Sequence, residues 1–259
     1  MNRFLEMSLD YASQRSYLDD LFSVYPTIPN GIREVNHTVW EKVQCAYEAK
    51  DNMAIVKAML ELELFPIKDS YVAYMKRDKG ALKRNPRTVN RIANQIMQMD
   101  LGELYKRCSE PKETNRQIGP MFKKWVNTGV LGFPLKGIKE FGEDQEDAIL
   151  TASDAEMKSF AESRLGYTHD KGLDFIARIR GKYVIGEAKF LTDFGGHQDA
   201  QFNDALATLN CQADAVKIAV LDGVPYIKGR SKMHKEIMGR YKDSNIMSAL
   251  VLSTFLNTL

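Results

Sequence analysis

Cysteine is scarce in this chain of 259 residues: Cys45, Cys108 and Cys211 are odd in number and far apart, which argues against a disulfide framework or a zinc knuckle. Long apolar runs are missing too, and nothing approaches the roughly 20 residues that a membrane span needs. The opening MNRFLEMSLDYASQ carries acidic residues where a signal peptide has an apolar core, so a reducing, cytoplasmic setting is expected. Internal repeats and low-complexity tracts are absent. The four histidines, His37, His169, His197 and His234, are dispersed and give no metal-ligand spacing. What remains is ordinary globular composition, 44% hydrophobic and 27% charged, with enough chain for one large domain or two small ones.

The formal net charge of +2 hides an uneven distribution. Between Lys68 and Arg91, eight basic residues stand against Asp69 and Asp78, a local balance of +6. From Glu140 to Glu162, eight acids stand against Lys158 alone, a balance of −7. A basic block in an otherwise balanced chain fits a phosphate-binding surface, and equally a solvated helix face. Residues 1–147 read as mostly helical: SYLDDLFSVY, TVWEKVQCAYEA, MAIVKAMLELELF and TVNRIANQIMQM place apolar residues three and four apart. Pro86 opens the last of these, with Asn85 as its candidate N-cap. Within this region 129–147, rich in glycine and charge, reads as a connection or an irregular β segment. Residues 148–259 change to a mixed pattern: a helix over 154–165, strands over 173–179 and 182–191, a helix near 198–211 and a strand over 215–221. That strand ends at an Asp222-Gly223 turn, and an amphipathic helix closes the sequence. The expected fold class is α/β (α+β), preceded by a helical region suited to DNA recognition or dimerisation.

The stretch GLDFIARIRGKYVIGEAKF, Gly172 to Phe190, reads as two strands joined by a tight turn at Arg180-Gly181. On the second strand Val184, Ala188 and Phe190 fall on one face and Tyr183, Ile185 and Leu191 on the other. Strands apolar on both faces belong in the interior of α/β domains, yet this one carries Glu187 and Lys189. The turn pairs Ile179 with Lys182, Ala177 with Val184 and Phe175 with Gly186, and so brings Asp174 opposite Glu187. Directly opposed Cβ atoms lie about 4.5–5.5 Å apart. Two buried carboxylates that close repel each other and need a cation, or one of them takes a proton. Lys189 supplies one charge and a divalent ion suits the rest, with carboxylate oxygens favouring magnesium. A salt-bridged patch at the exposed end of the sheet is the plainer alternative.

Gly-Leu-Asp174, twelve residues, then Glu187-Ala188-Lys189 resembles the PD-(D/E)XK motif of type II restriction endonucleases and related DNA-cleaving enzymes. The flanking helices and the following strand are similar to that superfamily's αβββαβ core, over about residues 150–225. Leu173 stands where the motif's name has proline. The resemblance implies that Asp174 and Glu187 hold Mg2+ with the Ala188 carbonyl, and that Lys189 orients the attacking water and stabilises the phosphate. It also implies cleavage of double-stranded DNA leaving 5′-phosphate and 3′-hydroxyl ends, a homodimer, and a cognate DNA methyltransferase as functional partner. An acid on the preceding helix often completes such a site. Glu156 is the first candidate, although Ser153-Asp154-Ala155-Glu156 is also a capping box, and Glu162 is the second.

After the lysine strand, Gly195 and Gly196 permit close backbone approach, and His197, Gln198, Gln201 and Asn203 have the chemistry of phosphate or base contacts. A solvated loop and helix cap is the plainer reading of that segment. Arg84, Arg87 and Arg91 recur three and four apart, on one side of a helix beginning near Pro86. Lys112, Arg116, Lys123 and Lys124 can add to the positive surface, whereas Phe122 and Trp125 read as core. A restriction endonuclease is the leading reading. A repair or recombination nuclease that reads DNA structure, and a non-catalytic DNA-binding protein on the same fold, are the alternatives.

Overall fold

The computed structural model describes residues 1–26, 33–111, 118–229 and 231–259. The chain forms two compact units, Met1–Thr27 with Thr114–Leu259, and Ile28–Glu113. This division departs from the expected break at 147/148. Helices α1 (Arg3–Ala12) and α2 (Tyr17–Val24) belong with the later part of the chain, because Leu5, Leu9, Tyr17 and Leu21 are buried in the same core as the sheet.

The second unit is helical throughout its regular structure: α3 (His37–Glu48), α4 (Asn52–Glu61), α5 (Ser70–Arg77), α6 (Ala81–Arg84), α7 (Pro86–Ile96) and α8 (Leu101–Cys108). Their apolar residues recur at helical spacing and meet in a core around Val43, Ile55, Met59, Ile92 and Ile96. Side chains of Asn36, Asp51, Asp69 and Asp100 accept the first free N–H groups of α3, α4, α5 and α8. Asn85 does stand at the N-cap of α7, but its side chain donates backward to the Ala81 carbonyl at 2.8 Å and closes α6.

In the first unit, α9 (Ile118–Val126), β1 (Leu135–Gly137), α10 (Ile138–Glu143) and β2 (Ala148–Thr151) precede α11 (Asp154–Leu165). There follow β3 (Phe175–Ile179), β4 (Lys182–Leu191), α12 (Gly196–Asn210), β5 (Val216–Gly223), a single 3-10 turn (Val224–Tyr226), α13 (Lys232–Gly239), β6 (Ile246–Met247) and α14 (Ala249–Leu256). The six strands lie side by side in chain order. β3 runs antiparallel to β2 and β4, and the remaining neighbours are parallel. The sheet is mixed and the fold is of the expected α/β (α+β) class. Two strands, β3 and β4, lie between α11 and α12, and the strand flanking β3 comes from before α11. The segment expected to be irregular thus holds a strand and a helix, and the closing amphipathic helix is preceded by the edge strand β6.

The acidic segment is held from inside. Arg178 is fully buried and donates to the Phe141 and Glu146 carbonyls at 2.7 and 2.9 Å and to the Asp144 carboxylate, its guanidinium 4.6 Å from the Phe141 ring. Lys136, also buried, bonds Asp144 and Glu146. Part of the acidic excess read from the sequence is therefore an internal ion network. Among the described residues no helix is long and apolar enough to cross a membrane.

Candidate active site

The β3–β4 hairpin has the expected register, Phe175 with Gly186, Ala177 with Val184 and Ile179 with Lys182. Its turn places Arg180 and Gly181 at φ 48° and 75°, the double positive φ of a twist-matched two-residue loop. The Arg180 N–H donates to Asp147 Oδ1 at 2.6 Å and helps hold that conformation. Val184 and Ala188 face the main core, while Tyr183 and Ile185 face a smaller cluster with Phe160 and Ala161 of α11. On that second face Glu187 and Lys189 follow Ile185.

The ladder changes at the end that matters for chemistry. Backbone pairing of β3 with β4 ends at Phe175–Gly186, and the Asp174 N–H bonds the Gly186 carbonyl at 3.1 Å instead of facing Glu187. β4 continues for five residues past that point. Its next edge N–H, on Ala188, is taken by Asp174 Oδ2 at 3.0 Å. Because N–H and C=O of one strand residue point the same way, the Ala188 carbonyl lies on that edge as well. Lys189 Nζ bonds both carboxylates, Asp174 Oδ2 at 3.2 Å and Glu187 Oε2 at 2.5 Å. Gly119 of α9 runs alongside: a Cβ built there would stand 3.4 Å from Asp174 Oδ1. A narrow cleft lined by Lys123, Asn127, Thr151 and Asp174 opens beside the group.

Asp174 and Glu187 are 9% and 6% exposed, so two carboxyls and one ammonium share a nearly dry pocket, with one negative charge in excess whenever both carboxyls are ionised. Burial, with the Asp174 charge beside it, pushes the Glu187 carboxyl up to about 8. Burial works against the Lys189 ammonium, but the two carboxylates outweigh it and move its pKa upward. Two hard oxygen donors, a backbone carbonyl edge and an uncompensated charge fit a divalent cation of the magnesium type. No third His, Cys, Asp or Glu joins the pair among the described residues.

Glu156 is elsewhere. Its carboxylate closes the capping box, accepting from the Ser153 N–H at 2.8 Å and hydroxyl at 2.7 Å, which holds its pKa below the usual range. Glu162 pairs with Lys158 on the exposed side of α11. The segment after β4 also divides. Gln198 is buried and accepts from the Thr192 N–H at 3.3 Å, so it shapes the loop and is not presented outward. Gly195, Gly196, His197 and Asn203 are exposed, and Gln201 lies 3.3 Å from the His197 ring. In the helical unit Arg84 ends α6 and pairs with Asp78, while Arg91 on α7 pairs with Asp69 at 2.5 Å. The expected single arginine stripe is therefore interrupted, because Asn85-Pro86 starts a new helix. Arg87 is exposed and makes no ion pair among the described residues. Lys112 and Arg116 lie outside the described residues.

The residues missed in sequence are Asp222, Tyr71 and Tyr74. Asp222 is fully buried and accepts from the hydroxyls of Tyr25 (3.1 Å), Tyr17 (3.3 Å) and Ser248 and from the Ala249 N–H (3.1 Å). Burial raises its carboxyl to about 7 against the pull of those donors. Tyr71 and Tyr74 stand 62% and 60% exposed on α5, with the Arg91 guanidinium 5.6 Å from the Tyr71 ring. Aromatics at helical spacing inside a basic block were the available signal.

Residues 2–259 match the family model described as Tsp45I type II restriction enzyme. The chain belongs to that family. No curated protein and no solved structure matches it at a significant level. The enzyme is therefore an endodeoxyribonuclease that hydrolyses phosphodiester bonds in DNA.

Proposed function

We propose that Asp174, Glu187 and Lys189 form the cleaving centre of a magnesium-dependent, sequence-specific endonuclease of the PD-(D/E)XK kind. The observation that carries this reading is the contact of Lys189 with both buried carboxylates where β3 stops and β4 continues. Asp174 and Glu187 would hold the ion, with the Ala188 carbonyl as a further ligand. When bound, magnesium supplies Lewis-acid charge and a more acidic water. Lys189 would orient the attacking water and offset charge growing on the phosphate, and Asp174 also fixes the Ala188 peptide by accepting its N–H. In-line attack would then leave 5′-phosphate and 3′-hydroxyl ends. Glu156, engaged in the capping box with Ser153, would have no part in this chemistry.

Recognition would rest on the helical unit, through Arg87 and the exposed Tyr71 and Tyr74, and on the exposed side of the loop and helix from Gly195 to Asn203. A homodimer would present two such centres to the two strands of a symmetric site, and a cognate DNA methyltransferase would protect host DNA. The test is incubation with phage DNA in Mg2+, against EDTA and against Lys189→Ala, followed by sequencing of the ends. Discrete fragments with 5′-phosphates, lost in EDTA and in the variant, are expected. Fragments that persist in Lys189→Ala, or a structure-dependent smear, would contradict the proposal.

A further inference from the structure

The narrow cleft beside Asp174 is lined by a single cation, Lys123 of α9, together with Asn127 and Thr151. The Lys123 side chain is only 17% exposed, and its ammonium bonds the carboxylate of Asp154, the first residue of α11. Asp154 itself is 66% exposed. Its side chain makes no other hydrogen bond or ion pair among the described residues. Nor does α11 need it as a cap, because Ser153 and Glu156 already form both bonds of the capping box. The Thr151 hydroxyl donates to Asn127 Oδ1 at 3.3 Å, which leaves the Asn127 amide N–H groups without a partner among the described residues.

A cation set into a cleft and held there by an acid with no other partner has the make-up of a phosphate site already occupied by a carboxylate. We infer that Lys123 binds a DNA phosphate at the mouth of this cleft, and that Asp154 holds the ammonium in that phosphate's place until DNA displaces it. The inference rests on the reading of Asp174, Glu187 and Lys189 as the cleaving centre, which would bring the DNA backbone to this cleft. Position separates Lys123 from a paired surface cation such as Arg84, since Lys123 and Asp174 line the same cleft. The exchange costs little, because an ion pair with an exposed carboxylate contributes little, whereas an ammonium that neutralises a phosphate releases counterions. A pair that only staples α9 to α11 predicts something different: both partners contribute to stability, and neither bears on DNA affinity.

The experiment measures affinity for a duplex carrying a site that the wild type cleaves, with calcium in place of magnesium, across a salt series. It compares Lys123→Gln, Asp154→Asn and the double variant. Lys123→Gln should bind about fivefold more weakly or worse, with the slope of log affinity against log salt reduced by about 0.9. Asp154→Asn should bind about two- to fivefold more tightly, the worth of the surface pair that no longer competes. That gain should vanish in the double variant, because the two residues act on one phosphate. Lys123→Arg, which keeps the charge, should recover most of the affinity and the slope. Single variants that move affinity in the same direction, or wild-type affinity and slope in Lys123→Gln, would overturn the inference. So would an Asp154→Asn gain of equal size with and without Lys123, which is a general effect of net charge. If Lys123→Gln does not fold, Lys123→Met, which keeps the apolar stem, decides it by the same readouts. Cleavage that persists in Lys189→Ala would overturn the reading of the cleaving centre separately, and would leave the opposite signs at Lys123 and Asp154 standing.

Discussion

Glu187 shows why a single residue carries so much of the account. Its carboxyl lies well above the ordinary 4.5, at about 8, because it is buried beside Asp174. The folded protein therefore keeps a proton that the unfolded chain gives up as pH rises from about 4.5, and stability falls through that window up to about 8. Asp222, raised from 3.8 to about 7 by burial, acts in the same direction. Thermal melts in EDTA should show a melting temperature that declines from pH 5 to 8.5, and Asp222→Asn should flatten the part of that decline below pH 7. Asp174→Asn removes the repulsion, so it should abolish cleavage while leaving the EDTA melting temperature at pH 8 as high as wild type or higher. Magnesium should raise the wild-type melting temperature and leave that variant's unchanged, by linkage to a site only one of them has. Glu156→Ala should lose about 1 kcal/mol as a broken cap and keep full cleavage. At this scale the sequence was legible where charge interrupts an apolar alternation, as at Asp174, Glu187 and Lys189. It was illegible at Asp222, since Asp-Gly at a strand end reads as a turn and only the tertiary fold reveals two tyrosines closing over it.

Among the elements, the hairpin was readable because its turn, Arg180-Gly181, and its alternation specify the same register. The departure lies one residue past the last pair, where Asp174 gives its N–H to Gly186 and its carboxylate accepts from Ala188. No propensity distinguishes a residue that ends a ladder in this way from one that continues it. β1 and β2, with 3 and 4 residues, are too short for a periodic signal; their ladders place them in the sheet, and Arg178 on the neighbouring strand bonds the segment that joins them. Arg178→Ala leaves Asp144 with less compensation and two carbonyls unbonded. It should cost about 3–5 kcal/mol, measured by urea denaturation, with the remaining folded fraction still able to cleave. A near-neutral result would mean that the network is not what holds β1, α10 and β2 in place.

For the molecule as a whole, the helical character of the first half was plain from spacing, but the division into units was not. Whether α1 and α2 join the helical unit or the sheet depends on pairings such as Tyr17 with Asp222, 205 residues apart, and such separations leave no trace in a local pattern. The +6 block was visible as charge, yet the expected arginine stripe is not continuous, because Asp69 and Asp78 pair with Arg91 and Arg84. Arg87→Glu should therefore weaken DNA binding and reduce the slope of log affinity against log salt by about 0.9 for each phosphate that the variant leaves unneutralised. Arg84→Gln, whose wild-type charge is already paired, should change both far less. Fluorescence anisotropy across a salt series measures the two together.

A cleaving centre at Asp174, Glu187 and Lys189 requires the ion to sit between the two carboxylates. Crystals grown with manganese in place of magnesium, with data collected at the manganese absorption edge, locate it without reference to activity. One or more anomalous peaks are expected between the Asp174 and Glu187 carboxylates, within reach of the Ala188 carbonyl, and none at those atoms in Asp174→Asn. Manganese bound instead at another acidic group, with nothing between Asp174 and Glu187, would contradict it.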